Sequence, residues 1–239
     1  MDLERLLLVQ EHDSAIDHLE HRRASLPTRE ELAAAEADAD KTRPLLADAE
    51  GRRDEVVRAV KRLEDEATAT SEKAADVERT LYSGSVTSPR ELQALQADLE
   101  QLRRHQRALE DRELELMEQQ EGLDAEVAQL EATLAAAVGV ADAARARLTE
   151  QEAEIDAEIA QEASARTSAA EGIDPDLLAD YDRCRKHAGG IGAARLVGQT
   201  CQGCRLTIPR TEVERIKREG PAAGVAHCDN CGAILVPST

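Results

Sequence analysis

Two long heptad tracts constrain the fold of this chain more than any other feature of its sequence. From Leu32 to Leu81, apolar residues recur at alternating intervals of three and four, and only Thr42, Arg53 and Thr70 interrupt the seam. The second tract runs from residue 92 to residue 155, and its polar seam residues are Gln106, Glu113, Gln120 and Gln151. Spacing of this kind, sustained over many turns, predicts two coiled-coil helices.

The composition is typical of long exposed helices. Of the 239 residues 33% are charged, and the chain has two tyrosines but neither phenylalanine nor tryptophan. Such a chain has too few large apolar side chains for a sizeable globular core. The net charge of −19 comes from the first 171 residues, which hold 21 Lys and Arg against 41 Asp and Glu. The acidic excess therefore belongs to the helical part.

Residues 83–88, between the two tracts, have the sequence of a hairpin tip. Gly84 suits a helix C-terminus, and Ser88, Pro89 and Glu91 suit the start of the next helix. We therefore predict a mainly α fold, with a long antiparallel coiled-coil hairpin over residues 1–171. Kinks are expected near residues 27 and 44, where prolines occur. The first 26 residues either continue the hairpin or fold back on it.

Four cysteines near the C-terminus have the spacing of a zinc site. They form two Cys-x-x-Cys pairs, Cys201 with Cys204 and Cys228 with Cys231. A two-residue spacer lets a tight turn aim both thiolates at one ion, so four thiolates can surround one Zn²⁺. The alternative is two unrelated redox-active or disulfide-bonded pairs. Because all four protein ligands are supplied, we predict one structural zinc with no position open to substrate.

The region 172–239 reads as a zinc ribbon preceded by a short helix. Asp174 can cap a helix over 175–187, and a second helix over 211–219 accounts for the long gap between the cysteine pairs. Short strands are predicted over 191–198, 206–208, 225–227 and 233–236. Because this region has few apolar residues, its core is weak, and zinc binding should supply much of its folding free energy.

Basic residues of this C-terminal region are the candidate surface for nucleic acid or a protein partner. They are Arg183, Arg185, Lys186, Arg205, Arg210, Arg215, Lys217 and Arg218. Only Tyr181 could stack on a base, so contact with a phosphate backbone or docking of a protein is favoured over base-specific reading. The fifth cysteine, Cys184, either packs on its helix or is a thiol activated by neighbouring cations.

Several of these segments resemble one family. They are the tip Leu81–Gly84 and Ser88–Leu95, the stretch Leu109–Glu118, the turn Gly189-Gly190 and both cysteine pairs. Together they resemble bacterial coiled-coil proteins with a C-terminal four-cysteine zinc ribbon, catalogued as a domain of unknown function. The resemblance implies a non-enzymatic helical hairpin with a zinc ribbon. Some members of the family are linked to RNA, transcription factors, or flagellar and secretion machinery.

The chain is thus expected to be an adaptor and not an enzyme. Its coiled coil would dock protein partners, and its ribbon would recognise RNA, DNA or a component of the gene-expression machinery. One alternative is a regulator that inserts its coiled-coil finger into RNA polymerase, although the tip has no acidic residue. Another is a purely structural protein-protein interaction module. With no export signal and no run of transmembrane length, a cytoplasmic location is expected.

Overall fold

The computed structural model describes residues 3–219 and 224–238. Its helices are α1 (Leu3–Ala24), α2 (Pro27–Tyr82), α3 (Pro89–Ala170), α4 (Pro175–His187) and α5 (Arg210–Glu219). Its strands are β1 (Ala193–Val197), β2 (Thr200–Cys201) and β3 (Ile234–Pro237). The predicted fold class is confirmed: the chain is mainly α, and a long helical hairpin is followed by a small zinc ribbon.

The chain divides into two compact units. Unit 1 consists of Met1–Glu30 and Ala144–Thr239, and unit 2 consists of Glu31–Ala143. Helices α2 and α3 therefore each contribute residues to both units. The boundary predicted between residues 171 and 172 lies inside unit 1, because α1 and the end of α3 belong with the ribbon.

Unit 2 is an antiparallel pair of helices with a narrow seam. Arg103 of α3 donates to Glu78 of α2 over 2.8 Å, and Arg52 of α2 donates to Glu126 of α3 over 2.7 Å. The buried residues of α2 in this unit all lie at predicted seam positions: Ala35, Ala39, Thr42, Ala49, Val60, Ala67, Thr70, Ala74 and Leu81. Small side chains dominate the seam, so each turn buries little apolar area.

The tip and the proline sites shape the hairpin locally. Residues 83–88 connect α2 to α3, and Gly84 has a φ of 74°, a left-handed conformation that suits glycine. At the first predicted kink, residues 25 and 26 separate α1 from α2. At the second, α2 remains helical through Pro44.

One stretch of α3 is long and apolar enough, by composition alone, to cross a membrane, although the sequence was expected to contain none. About 17% of this stretch is buried. Alanine-rich helices of coiled coils can have a similar mean hydropathy. Residues 135–144 of α3 are largely alanine, and Ala141 and Ala144, at predicted seam positions, are buried.

In unit 1, α1 continues the hairpin as the partner of α3. His12 Nδ1 of α1 lies 2.7 Å from Glu162 Oε2 of α3, and Arg23 Nε donates to Asp156 Oδ1 over 2.8 Å. As the residue number rises along α1, its partner on α3 falls, which is the antiparallel arrangement. The first residues therefore extend the hairpin, which the sequence left open.

A three-stranded sheet in the order β2-β1-β3 carries the ribbon. Strand β1 is antiparallel to β2 and parallel to β3. Along β3, Ile234 and Val236 pack into a cluster with α1 and α4, whereas Leu235 packs into a second cluster with the cysteines and α5. The sheet therefore has two buried faces. The strands predicted over 206–208 and 225–227 form only isolated bridges, at Thr207 and His227.

Candidate metal centre and ribbon surface

The four predicted cysteine ligands converge on one point. Cys201 Sγ lies 4.0 Å from Cys231 Sγ, Cys204 Sγ lies 3.8 Å from Cys228 Sγ, and all four sulfurs lie within 4.8 Å of one another. Four sulfurs around a tetrahedral zinc with Zn–S bonds of about 2.3 Å are separated by about 3.8 Å. The arrangement therefore fits one structural Zn²⁺ with four thiolate ligands.

The two cysteine turns have the same backbone design. In the first turn the N–H of Arg205 donates to the carbonyl of Cys201 over 2.8 Å, and in the second the N–H of Gly232 donates to the carbonyl of Cys228 over 2.7 Å. Both residues have a left-handed φ, 60° at Arg205 and 78° at Gly232. Among the described residues Arg205 is the one non-glycine with positive φ. Both turns thus need a conformation that costs an ordinary residue free energy.

Burial and hydrogen bonding act differently on the four thiols. Burial raises the pKa of Cys201, and it raises the pKa of Cys231 to about 12. A backbone hydrogen bond from Leu206 lowers the pKa of Cys204. Zinc binds the thiolate form, so loading of the site must displace protons from the buried sulfurs. With four thiolates bound, the ion keeps no vacant position for a substrate.

The predicted basic surface is distributed over α4, the first cysteine turn and α5, and much of it is ion-paired. On α5, Arg210 donates to Glu214 over 2.8 Å and Arg215 pairs with Glu212. The Arg215 hydrogen bond lowers the pKa of Glu212. Lys217 and Arg218 also lie on α5. The helix buries Val213 and Ile216, its apolar side chains, in the cluster with the cysteines.

The basic residues of α4 have different surroundings. Arg183 donates to Asp180 over 2.7 Å and remains mostly exposed. Arg185, 27% exposed, faces α1 and pairs with Asp17. Within the described parts of the chain, Lys186 of α4, Arg205 of the first cysteine turn and Lys217 have no ion-pair partner. Arg185 thus serves a contact between helices, whereas the α5 cations face away from the core.

A buried polar network joins α1 to α4 and β1. Tyr181, fully buried, donates its hydroxyl hydrogen to Asp13 Oδ2 over 2.7 Å. Gln10 Oε1 accepts from the backbone N–H of Gly192 over 2.6 Å, and its Nε2 donates to the carbonyl of Gly190 over 2.9 Å. The side chain of Gln10 therefore supplies hydrogen-bond partners to the backbone groups of Gly190 and Gly192, just before strand β1.

Ionic contacts extend this network to α3. Arg166 Nε donates to Asp13 Oδ1 over 2.8 Å, and Arg166 Nη2 donates to Asp182 Oδ1 over 3.0 Å. Burial is the largest single influence on Arg166 and lowers its pKa, but the hydrogen bond to Asp13 and the charges of Asp13 and Asp182 together outweigh burial and raise the pKa. Burial and the charge of Asp13 also raise the pKa of Tyr181 well above its ordinary value. The phenol of Tyr181 thus stays neutral.

Cys184 belongs to a separate group of potential ligands. Asp180, Cys184 and His227 bring a carboxylate oxygen, a sulfur and an imidazole nitrogen within 4.8 Å of one another. Burial and the nearby charge of Asp180 raise the pKa of the Cys184 thiol, with Arg183 opposing. This direction disfavours the activated thiol considered as one alternative, because the reactive form is the thiolate.

The coiled coil of unit 2 has a cleft where its seam is polar. The cleft has a volume of about 630 Å³ and is lined by residues of α2 such as Lys61 and Ala67 and by Gln106, Glu110 and Glu113 of α3. Gln106 and Glu113 are seam positions of the second heptad tract. Polar residues there leave the two helices less tightly packed than apolar ones would.

The buried polar network around Tyr181 and the Asp180 group were not predicted from the sequence. The signal for the polar network is weak: Gln10 and Asp13 lie three residues apart on the face of α1 that also carries Leu6. For the second, the spacing of four between Asp180 and Cys184 places them on one helix face. Nothing in the sequence indicates that His227 reaches that face.

Family models match nearly the whole chain. Residues 9–189 match the CT398-like coiled coil hairpin domain, and residues 200–235 match the C4-type zinc ribbon domain. Two curated relatives, the uncharacterized proteins MT2288 and Rv2229c from two strains of Mycobacterium tuberculosis, are each 33% identical over 231 residues. The alignment covers 97% of this chain and 93% of each relative.

Solved structures share the architecture. A protein from Mycobacterium smegmatis superposes with a TM-score of 0.85 at 26% identity, and CT398 from Chlamydia trachomatis with a TM-score of 0.70 at 21% identity. HP0958 from Helicobacter pylori has a TM-score of 0.51 at 17% identity. In all three cases the match covers 99% of this chain and 97% of the other. The two less identical structures show a common fold.

Proposed function

The chain belongs to the CT398-like coiled-coil hairpin family with a C4-type zinc ribbon, and we propose that it is a non-enzymatic adaptor. Its domains are those of a structural and interaction module. In our proposal the coiled coil docks a protein partner, and the ribbon contacts RNA, DNA or a component of the gene-expression machinery. A reducing cytoplasm suits this role, because it keeps the zinc-binding thiols reduced.

The closed zinc site supports a role without catalysis. Catalytic zinc sites keep three protein ligands and an open position for water or substrate. Here four sulfurs at tetrahedral separation supply every ligand, and two of them, Cys201 and Cys228, are almost completely buried. The ion thereby fixes the two turns and the sheet, and it has no means of activating a water molecule.

The outward surface of α5 is the observation that carries the nucleic-acid part of the proposal. Val213 and Ile216 anchor the helix on the ribbon core. Its cations, Arg210, Arg215, Lys217 and Arg218, are all exposed. Pairs such as Arg210 with Glu214 are surface pairs, which contribute little stability and can exchange partners at small cost. A phosphate backbone can therefore compete for these cations.

A specific observation favours a second candidate, a module that docks proteins only. Glu212 and Glu214 lie on α5 among the cations and would repel phosphate. The cleft of unit 2, lined by Glu110, Glu113 and Lys61, offers an acidic surface with a partly open seam. A basic protein segment would complement that surface. This candidate dispenses with nucleic acid and keeps the same coiled-coil partner.

Fluorescence anisotropy with labelled single-stranded RNA and duplex DNA, titrated with the zinc-loaded full chain, tests the nucleic-acid part. The variant replaces Arg215, Lys217 and Arg218 by alanine, and the control removes three exposed cations of the coil, Lys41, Arg43 and Arg79. For RNA, each lost phosphate contact lowers the slope of log K against log salt by about 0.7. We expect the α5 variant to lose a slope of about 2, whereas the control should keep it. If the full chain binds neither probe at low salt, the module docks proteins only.

A further inference from the structure

Asp180, Cys184 and His227 form a cluster of three different metal-ligating side chains that includes none of the four zinc-site cysteines. His227 Nε2 lies 2.9 Å from Asp180 Oδ2, and the sulfur of Cys184 lies within 4.8 Å of a ring nitrogen of His227 and of a carboxylate oxygen of Asp180. Asp180 and Cys184 are half-buried, and His227 is exposed. The cluster thus faces solvent on the histidine side and is closed by α4 on the other.

We propose that these three side chains form a second, solvent-accessible site for a divalent transition ion such as Zn²⁺. Imidazole, thiolate and carboxylate are all ligands of zinc, with bonds of about 2.0–2.3 Å. A tetrahedral ion therefore needs ligand atoms about 3.3–3.7 Å apart. The three atoms already lie within 4.8 Å of one another, so small side-chain rotations complete the geometry. Water would occupy the fourth position.

The backbone on both sides of this site is held in place by other contacts. Asp180 and Cys184 lie on either side of Tyr181 on α4, and Tyr181 is fixed by its hydrogen bond to Asp13. His227 forms a bridge with Ile234 and precedes Cys228, whose N–H donates to the carbonyl of Ala233 over 2.9 Å. The second cysteine turn therefore positions His227 opposite α4. A metal ion at the cluster would join the two elements directly.

The surroundings of Asp180 also suit a metal-bound carboxylate. Arg183 Nη2 donates to Asp180 Oδ1 over 2.7 Å, which leaves Oδ2 directed at His227. An outer hydrogen bond of this kind orients a ligating carboxylate. When the ion binds, Nε2 of His227 gives up the hydrogen that it shares with Asp180, and the ring binds the metal as a neutral imidazole protonated at Nδ1. The Cys184 thiol releases its proton to solvent and binds as the thiolate. The competing arrangement is a plain hydrogen-bonded pair of Asp180 and His227 without metal.

Cobalt titration of the full chain, with zinc already bound to the four cysteines, tests the second site. Co²⁺ in a site with one thiolate gives a charge-transfer band and visible d–d bands. We expect one further equivalent of Co²⁺ to bind without release of zinc, which elemental analysis measures. Cys184→Ser should abolish the charge-transfer band, and His227→Gln and Asp180→Asn should each weaken Co²⁺ binding by at least about tenfold.

Matched controls keep the interpretation specific. His18→Gln removes an exposed histidine of α1, and Asp176→Asn removes an exposed carboxylate of α4. Both should bind Co²⁺ like the unmodified chain. Circular dichroism establishes that each variant is folded, and any one of the three ligand variants suffices for the test. If no further cobalt binds, or if cobalt binds equally to the ligand and control variants, the cluster is a hydrogen-bonded pair and the proposal is overturned.

Discussion

Removal of the Tyr181 hydroxyl should loosen the junction between α1 and the ribbon sheet. Tyr181 is fully buried, and its hydroxyl donates to a carboxylate of Asp13 whose side chain is 6% exposed. Hydrogen bonds to charged groups contribute about 1.5–3 kcal/mol. In Tyr181→Phe the carboxylate keeps Arg166 but loses this donor, so we expect a cost of about 2 kcal/mol in the free energy of local opening.

Hydrogen exchange followed by mass spectrometry measures this opening directly. Peptides covering residues 190–197 report on β1 and on the N–H of Gly192, which donates a hydrogen bond to Gln10 Oε1. A loss of about 2 kcal/mol corresponds to exchange roughly 30-fold faster in these peptides. Tyr82→Phe is the matched control, because Tyr82 at the tip is 76% exposed. Equal exchange rates in Tyr181→Phe and Tyr82→Phe would refute the claim that the hydrogen bond of Tyr181 helps to hold the sheet to α1.

Further predictions concern the same unit. Gly192→Ala should destabilise the chain by about 1–3 kcal/mol in urea unfolding, because an added Cβ would lie 2.6 Å from the Tyr181 ring. Gly232→Ala should weaken zinc retention against a chelator by about 1 kcal/mol, because its φ of 78° is strained for alanine, whereas Gly122→Ala in mid-helix should not. Burial and Asp13 raise the pKa of Tyr181 in the folded chain above its ordinary value of 10, so its contribution to stability is complete below pH 10 and is lost as the pH rises further. In Tyr82→Phe, where Tyr181 is the one remaining tyrosine, tyrosinate absorbance should therefore increase together with unfolding. Ionisation of Tyr181 before unfolding would contradict the assignment.

Period and spacing in the sequence were sufficient to predict the coil and the zinc site. The buried residues of α3 between 99 and 155, such as Leu109 and Val127, all fall on the second heptad tract. The spacing of the four cysteines was enough to predict the zinc site. The heptad seam and the cysteine pairs are repeated or local patterns, so residues close together in the sequence are enough to predict them.

Contacts between distant parts of the chain could not be predicted in this way. Gln10 and Gly192 meet across 182 positions, and Asp180 and His227 across 47. A glutamine on a helix is usually a surface residue, and only the fold places Gln10 against backbone groups. The ion pair of Arg185 with Asp17 was missed for the same reason, since a count of charges does not identify distant partners. The pair of Arg210 with Glu214 differs, because these residues lie four apart on α5 and local spacing indicates the pair. The prediction that the α5 cations bind nucleic acid stays a prediction.

Affinity purification of the tagged full chain from native lysate, with and without nuclease, tests the adaptor role most directly. We expect nucleic acid to copurify with the unmodified chain, and nuclease should remove it while a bound protein remains. The variant that lacks the Arg215, Lys217 and Arg218 charges should retain that protein without nucleic acid. A protein that is lost on nuclease treatment would contradict separate docking by the coil. Nucleic acid that copurifies equally with the variant would contradict recognition by the ribbon.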